Sequence, residues 1–218
     1  MAEAINPITI MFIGIAVGML PFLLLLTTSF LKIAVVLALL RNAIGVQQIP
    51  PPMALNGLAI VLTVFIMLPV CMDTLEILNR EQVFESKLSA EKALHVGGLA
   101  SGPLHAFLQR HTDPGVSTVL LQTARRIWPD KYQDSAKLDS WIILVPSFAI
   151  SEISRAFQLG FLLYLPFICI DLVVSNILLA MGMMMVSPMT ISLPFKLLLF
   201  VSLDGWVKVF QGLILSYR

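Results

Sequence analysis

Of the 27 charged side chains in this 218-residue chain, 17 fall between Asp73 and Asp139, and all three histidines lie there too. The flanks on either side are left apolar. The chain therefore reads apolar, polar, apolar, and that division limits the folds open to it. The flanks need lipid or protein to cover them, whereas the middle needs water or polar contacts. Hydrophobic residues make up 58% of the chain and charged residues only 12%, against roughly 25% charge in ordinary soluble domains. With a mean hydropathy of +0.91, this is the composition of a membrane protein. The net charge of +1 carries no nucleic-acid signature. Cys71 and Cys169 both lie in apolar runs and are expected as buried free thiols rather than as a disulfide framework.

The first flank runs from Ile8 to Leu40 and resumes from Ala54 to Met72. As one helix, the first run would be about 50 Å long, well beyond a hydrocarbon core of about 30 Å. Pro21 interrupts it, and Thr27, Thr28, Ser29 and Lys32 follow, so a kinked or broken helix is expected. Gly14 and Gly18, in "GIAVG", have the spacing that permits close helix approach. "RNAIGVQQIPPP" reads as a short turn-rich link. "ALNGLAIVLTVFIMLPV" is long enough for a span but carries Asn56 and Pro69. The opening "MAEAINPIT" has no basic region ahead of its apolar run and is read as retained rather than as a signal peptide.

The polar middle, residues 73–140, has mostly helical patterns. "SKLSAEKALHVGG" ends on paired glycines, a helix-stop signal. Leu104, Phe107 and Leu108 fall at i, i+3 and i+4, and "GVSTVLLQTARRIW" is a second amphipathic stretch. His95, His105 and His111 lack metal-site spacing and are read as solvated or capping residues. Ser101, His105 and Asp113 have no nucleophile elbow or oxyanion loop to support a catalytic triad. Gly97 and Gly98 lack the Lys-Ser/Thr of a phosphate loop. No catalytic residue, cofactor or metal is expected.

The second flank, 141–218, carries charges where lipid would penalise them. Ser151, Arg155 and Gln158 recur at i, i+4 and i+7, with Glu152 three residues before Arg155, on a helix otherwise built from residues such as Phe148, Ile153, Phe157 and Phe161. Such a stripe must face protein or water. Asp171 sits inside "YLPFICIDLVVSNILLA" and Lys196 inside "LPFKLLLF". An ionised side chain at a helix centre costs about 2.5–3.5 kcal/mol on insertion scales, while each Leu, Ile, Phe or Val returns about 0.3–0.6. Lys32, Glu152, Arg155, Asp171 and Lys196 are therefore expected to form buried ion pairs within or between subunits. Snorkelling to the interface is the competing reading, and it fits Lys196 best, because Pro188 and Pro194 suggest a turn nearby.

"AMGMMMVSPM" holds five of the chain's eleven methionines, with Met183, Met184 and Met185 consecutive. On a helix three consecutive side chains point about 100° apart and cannot share one packing partner. Leu or Ile would specify a static core better.

The run "PSFAISEISRAFQLGFLLYLPFICIDLVVSNILLAMGMMMVSP" followed by "SLPFKLLLFVSLDGW", and the earlier "TSFLKIAVVLALLRNAIGVQQIPPPMALNGLAIVLT", closely resemble the SctR/FliP family of bacterial type III secretion and flagellar export proteins. "MMMVSP" and the absent signal peptide favour the injectisome branch. The resemblance covers nearly the whole chain and is weakest over 75–140. It implies an all-α, membrane-associated fold of kinked helices and helical hairpins: 1–72 and 141–218 hydrophobic, 73–140 a mostly helical extracytoplasmic insert. It implies a homopentamer that joins SctS/FliQ-like, SctT/FliR-like and SctU/FlhB-like subunits at the bacterial inner membrane, multi-pass by sequence, in a helical assembly around a pore for unfolded proteins, with many apolar segments wrapped by other subunits and lifted out of the membrane plane to the periplasmic side. It also implies that Met183, Met184 and Met185 line that pore as a gasket. Met is long, apolar and adaptable, so a ring of Met can conform to varied side chains and dewet when empty. A secondary transporter or proton channel using Lys32, Asp171 and Lys196 as relay groups is the alternative; it lacks the internal inverted repeat common in transporters. The lone Arg41 after the first flank points to that loop inside, with the N-terminus and the insert outside.

Overall fold

The computed structural model describes residues 7–46, 49–81, 83 and 90–218. The start of "MAEAINPIT", the stretch expected to be retained, and the beginning of "SKLSAEKALHVGG" lie outside the described residues. Among those described, all regular structure is helical: α1 (Pro7–Thr27), α2 (Phe30–Ile44), α3 (Pro52–Arg80), α4 (Ala90–Ala100), α5 (Gly102–His111), α6 (Pro114–Ile127), the single turn α7 (Asp130–Gln133), α8 (Trp141–Ala180), α9 (Pro188–Ser202) and α10 (Gly205–Leu215).

The first apolar run breaks at Thr28 and Ser29 rather than at Pro21, which sits inside α1. The end of α1 and α2 meet at a bend of 65°. The hydroxyls of Thr27 and Thr28 donate to the carbonyls of Leu23 and Leu24, at 2.8 and 2.7 Å. Such back-bonding offers the chain an alternative to the helical ladder where the ladder ends. The expected stop at Gly97-Gly98 does not occur either, because α4 runs through both glycines to Ala100. α3 continues through Pro69 to Arg80, so the change of composition at residue 73 falls within a helix.

α2 is the centre of the main core. Its Ile33, Val36, Leu37 and Leu40 are buried against Leu55 and Ala59 of α3, Ala156 and Phe167 of α8, Phe200 of α9, and Val209 and Leu213 of α10. α8 is the organising element. At 40 residues it is about 60 Å long, twice a hydrocarbon core. Its first part packs on the polar segment: Leu144 and Phe148 against Phe107 and Leu108 of α5 with Met67 of α3, and Ile143 against Ala124 of α6. Its second part packs on α2 and α9. A Cβ added to Gly160 would lie 2.2 Å from Leu39 Cδ1 and 3.1 Å from Leu39 Cβ, so glycine is what lets α8 approach α2.

α3 and α8 are long and apolar enough to cross a membrane, and the bent pairs α1–α2 and α9–α10 raise the number to four if each pair is one span. Much of this apolar surface is uncovered, including Leu23, Phe65, Phe161, Leu162, Leu172 and Val201. Cys71 and Cys169 are free, as expected, but exposed rather than buried. Cys169 lines an open hollow between α8 and Ile191 and Phe195 of α9. A Cβ added to Gly14 or Gly18 would meet nothing within 4 Å among the described residues.

Candidate functional site: two buried charge clusters and an exposed methionine turn

The first cluster forms where the polar segment meets the apolar helices. Lys32 stands in the first turn of α2, just after the bend, and Glu152 lies opposite it on α8. Both are buried, at 1% and 0% exposure. The Lys32 ammonium is 3.4 Å from each carboxylate oxygen of Glu152. Arg155, one turn further along α8, lies 3.6 Å from Glu152 Oε1 and donates to the His111 carbonyl at 2.7 Å. Tyr217, next to the last residue, donates its hydroxyl to Glu152 Oε2. The Lys32 ammonium also sits 3.5 Å from the centroid of the Tyr217 ring, a cation–π contact in a water-poor site. Beside it, Ser151 accepts the Asp113 backbone N–H at 3.0 Å and donates to the Ser147 carbonyl at 2.7 Å. The stripe Ser147, Ser151, Glu152, Arg155 thus binds α8 to α2, to the end of α5 and to the C-terminus. Gln158 is exposed.

His111 does not fit the reading of solvated histidines. It is buried against the rings of Phe107 and Tyr217, with centroids 4.7 and 5.2 Å away. Burial, and then the nearby Lys32, Arg110 and Arg155 cations, push its pKa down to about 4. It is neutral at pH 7. His105 donates from Nε2 to the Asp139 carbonyl, 2.6 Å away, and His95 is exposed.

The second cluster lies deeper along α8. Asp171 accepts from the Lys196 ammonium at 2.7 Å and from the Ser192 hydroxyl at 2.6 Å. Ser192 and Lys196 are four residues apart and share one face of α9. Lys196 also donates to the Ala43 carbonyl at 3.3 Å, in the last turn of α2, where carbonyls lack helical partners. One ammonium thereby joins α2, α8 and α9. Lys196 is 2% exposed, so it is neither at an interface nor snorkelling, and Pro194 lies inside α9 rather than in a turn. Lys32 belongs to one cluster and Asp171 with Lys196 to the other, each held by fixed partners.

Met183, Met184 and Met185 are not on a helix. They form the turn between α8 and α9, which removes the objection that helical side chains would diverge. Gly182 takes φ +74°, a conformation that favours glycine, and the Met183 N–H returns to the Leu178 carbonyl at 2.9 Å. Met184 is 81% exposed and Met185 100%, with Met183 at 40%. The Asp171–Lys196 bridge fastens the two helices behind this turn.

Tyr217, His111 and Ser192 are members of these clusters that sequence reasoning missed. Ser192 carried one signal, its i, i+4 spacing to Lys196. Tyr217 and His111 carried none, because contacts distant in sequence bury them. Among the described residues no group of three His, Cys, Asp or Glu side chains could hold a metal.

Residues 13–213 match the model of the FliP family. The chain is 52% identical over 199 residues to Yop proteins translocation protein R of Yersinia pestis, an alignment covering 91% of each protein. It is 44% identical over 216 residues to Harpin secretion protein HrcR of Erwinia amylovora, covering 99% of this chain and 98% of the other. It is also 44% identical over 216 residues to Virulence protein YscR of Salmonella typhimurium, covering 97% of each.

Proposed function

The chain belongs to the FliP family, and on that premise we propose that it is a structural, non-enzymatic subunit of a bacterial type III secretion export gate. Copies of it assemble into a pore through which unfolded proteins leave across the inner membrane. The names of its relatives, which concern translocation of Yop proteins and secretion of harpins, favour the injectisome branch over the flagellar one. The family resemblance supplies the finer reading of a pentamer joined to SctS/FliQ-like, SctT/FliR-like and SctU/FlhB-like subunits.

The observation that carries this reading is the methionine turn. Three flexible apolar side chains stand at the tip of a hairpin whose helices are bridged by Asp171 and Lys196. Met184, largely exposed, and Met185, fully exposed, contribute little to packing within this chain. A ring of such tips, one per copy, would supply an adaptable seal. The broad uncovered faces of α3 and α8 suit burial by neighbouring copies, partner subunits and lipid.

The test is native electrophoresis of the tagged chain expressed with its SctS-like and SctT-like partners. A large species containing several copies and both partners is expected. A small species that stays monomeric when the partners are present would overturn the proposal.

A further inference from the structure

The residues that follow α10 are fastened by one side chain. Val209 and Leu213 are the buried residues of α10, and past them Leu215, Ser216 and Arg218 are exposed. The backbone closes there in single turns, with the N–H groups of Ser216, Tyr217 and Arg218 returning to the carbonyls of Gly212, Ile214 and Leu215. Tyr217 turns back into the molecule. Its ring stacks on Phe107, with centroids 6.0 Å apart and planes 16° apart. It meets His111 edge-on at 5.2 Å and carries the Lys32 ammonium on its face, while its hydroxyl donates to Glu152.

His111 stands between this anchor and a set of cations: Lys32 of α2, Arg155 of α8 and Arg110 of its own helix. Glu152 of α8 is the one acid of the cluster, and Lys32, Arg155 and Tyr217 already share it. Asp113, two residues on, spends its carboxylate on the Gly115 N–H at 2.7 Å. A proton on His111 would therefore add a fourth positive charge beside a single negative one, against aromatic rings that solvate it poorly. Water can reach that charge only if a covering ring moves. Phe107 is held in a core with Leu108, Leu144 and Phe148. Tyr217 lies beyond the last buried residue of α10 and is free to swing.

We propose that Tyr217 is an acid-released latch: its ring stays seated while His111 is neutral, and protonation of His111 drives the segment past Leu213 off the junction of α2, α5 and α8. After release Glu152 still has Lys32 and Arg155, so the junction survives and the change stays local. The sign follows from the two environments of His111. With the latch seated its pKa is about 4, and in water it returns to about 6.5. The open form thus binds more protons below pH 6.5, and acid favours opening. From about pH 7 to about pH 5 the opening constant should rise about twenty-fold.

The test is hydrogen exchange of the full chain in mild detergent, read by mass spectrometry at about pH 7 and about pH 5, with each rate divided by the intrinsic rate at that pH. Protection of the amides of Ser216, Tyr217 and Arg218 should drop about twenty-fold at the lower pH, while α2 stays better protected at both. His111→Gln should show equal terminal protection at the two pH values. Arg110→Gln, a surface change that removes one of the opposing cations, should make the drop smaller. Unchanged terminal protection in the wild type, or the same drop in His111→Gln, overturns the proposal. Should His111→Gln not fold, an undiminished drop in Arg110→Gln overturns it instead. Terminal amides protected as well as those of α2 would mean that opening is unfolding of the whole chain, and would overturn it too. The export role rests on the methionine turn and stands apart from each of these outcomes.

Discussion

The two charge clusters solve the same problem in different ways. Glu152 is served by Lys32, Arg155 and Tyr217, which come from α2, from α8 itself and from the C-terminus. Asp171 has one cation, Lys196, and one hydroxyl, Ser192, both on α9. The first cluster is redundant and joins the polar segment to the apolar helices. The second has no spare partner and sits in the apolar stretch, where a stranded charge finds little water. Buried ion pairs are poor evidence of net stabilisation, but removing one partner is severe. The clusters should therefore differ most in how they fail.

The largest effect is expected at the cluster without a spare. Asp171→Ala leaves the Lys196 ammonium buried with only the Ala43 carbonyl, and such stranding typically costs about 3–5 kcal/mol. Recovery of folded chain and of the assembled complex should drop well below wild type while synthesis is unchanged. Replacing both partners, Asp171→Leu with Lys196→Met, should restore much of the loss, because no charge remains unpaired. A single variant as stable as wild type in a denaturant titration would mean the bridge is not what holds α8 to α9.

The next effect separates the clusters by pH. His111 borders only the Glu152 cluster, and its pKa is lowered from 6.5 to about 4 in the folded chain. Between those values the unfolded chain binds more protons than the folded one. The stabilisation is complete above pH 6.5 and is lost as pH falls toward 4. The whole excursion is worth about 3 kcal/mol. Thermal unfolding at about pH 7 and about pH 5 should show the loss in wild type and a flatter dependence in His111→Gln. Identical profiles for the two proteins would remove His111 as the sensitive group.

Tyr217→Phe probes the redundancy directly. It keeps the ring that faces Lys32 and deletes only the hydroxyl donated to Glu152. Hydrogen bonds to charged groups contribute about 1.5–3 kcal/mol, and Lys32 and Arg155 remain, so a loss of about 2 kcal/mol is expected. A loss as large as that of Asp171→Ala would show that the first cluster is no more tolerant than the second.

How far the sequence reveals these features depends on the range of the interactions. The all-helical, membrane-type architecture is legible because apolar runs of this length admit little else. Lys32, Glu152, Arg155, Asp171 and Lys196 stand out by their insertion cost, but cost does not name a partner. Lys32 and Glu152 are 120 residues apart, and nothing local specifies their meeting. Tyr217 looks like an ordinary polar tip until the fold brings it onto Glu152. The break at Thr28 rather than Pro21 turns on side-chain back-bonds that compete with the ladder, whereas α1 accommodates its proline. The exposure of Cys71 and Cys169 is not legible because an apolar run indicates that a surface must be covered without saying whether this chain covers it.

The smallest effect on the fold is expected at the methionine turn, where the effect on function should be greatest. Met184 and Met185 are exposed and hold no other part of the chain in place, and Met183 is tied through its backbone N–H rather than its side chain. Replacing all three with Ala should change stability by less than about 0.5 kcal/mol, as for ordinary surface sites, and both charge clusters should remain intact. If the turns of neighbouring copies ring a pore, the same replacement removes most of the side-chain volume at the narrowest point. Ion or small-solute leakage through assembled complexes should then rise, most of all when the gate is open, while secretion continues. Replacement by Leu should seal nearly as well but fit varied substrates less readily, because Leu has fewer accessible shapes than Met. Membrane conductance, measured beside a separate check of assembly, decides the matter. An Ala variant that assembles, secretes and leaks no more than wild type would leave the turn without a sealing role, whereas one that fails to assemble would make its methionines packing residues for a neighbouring subunit.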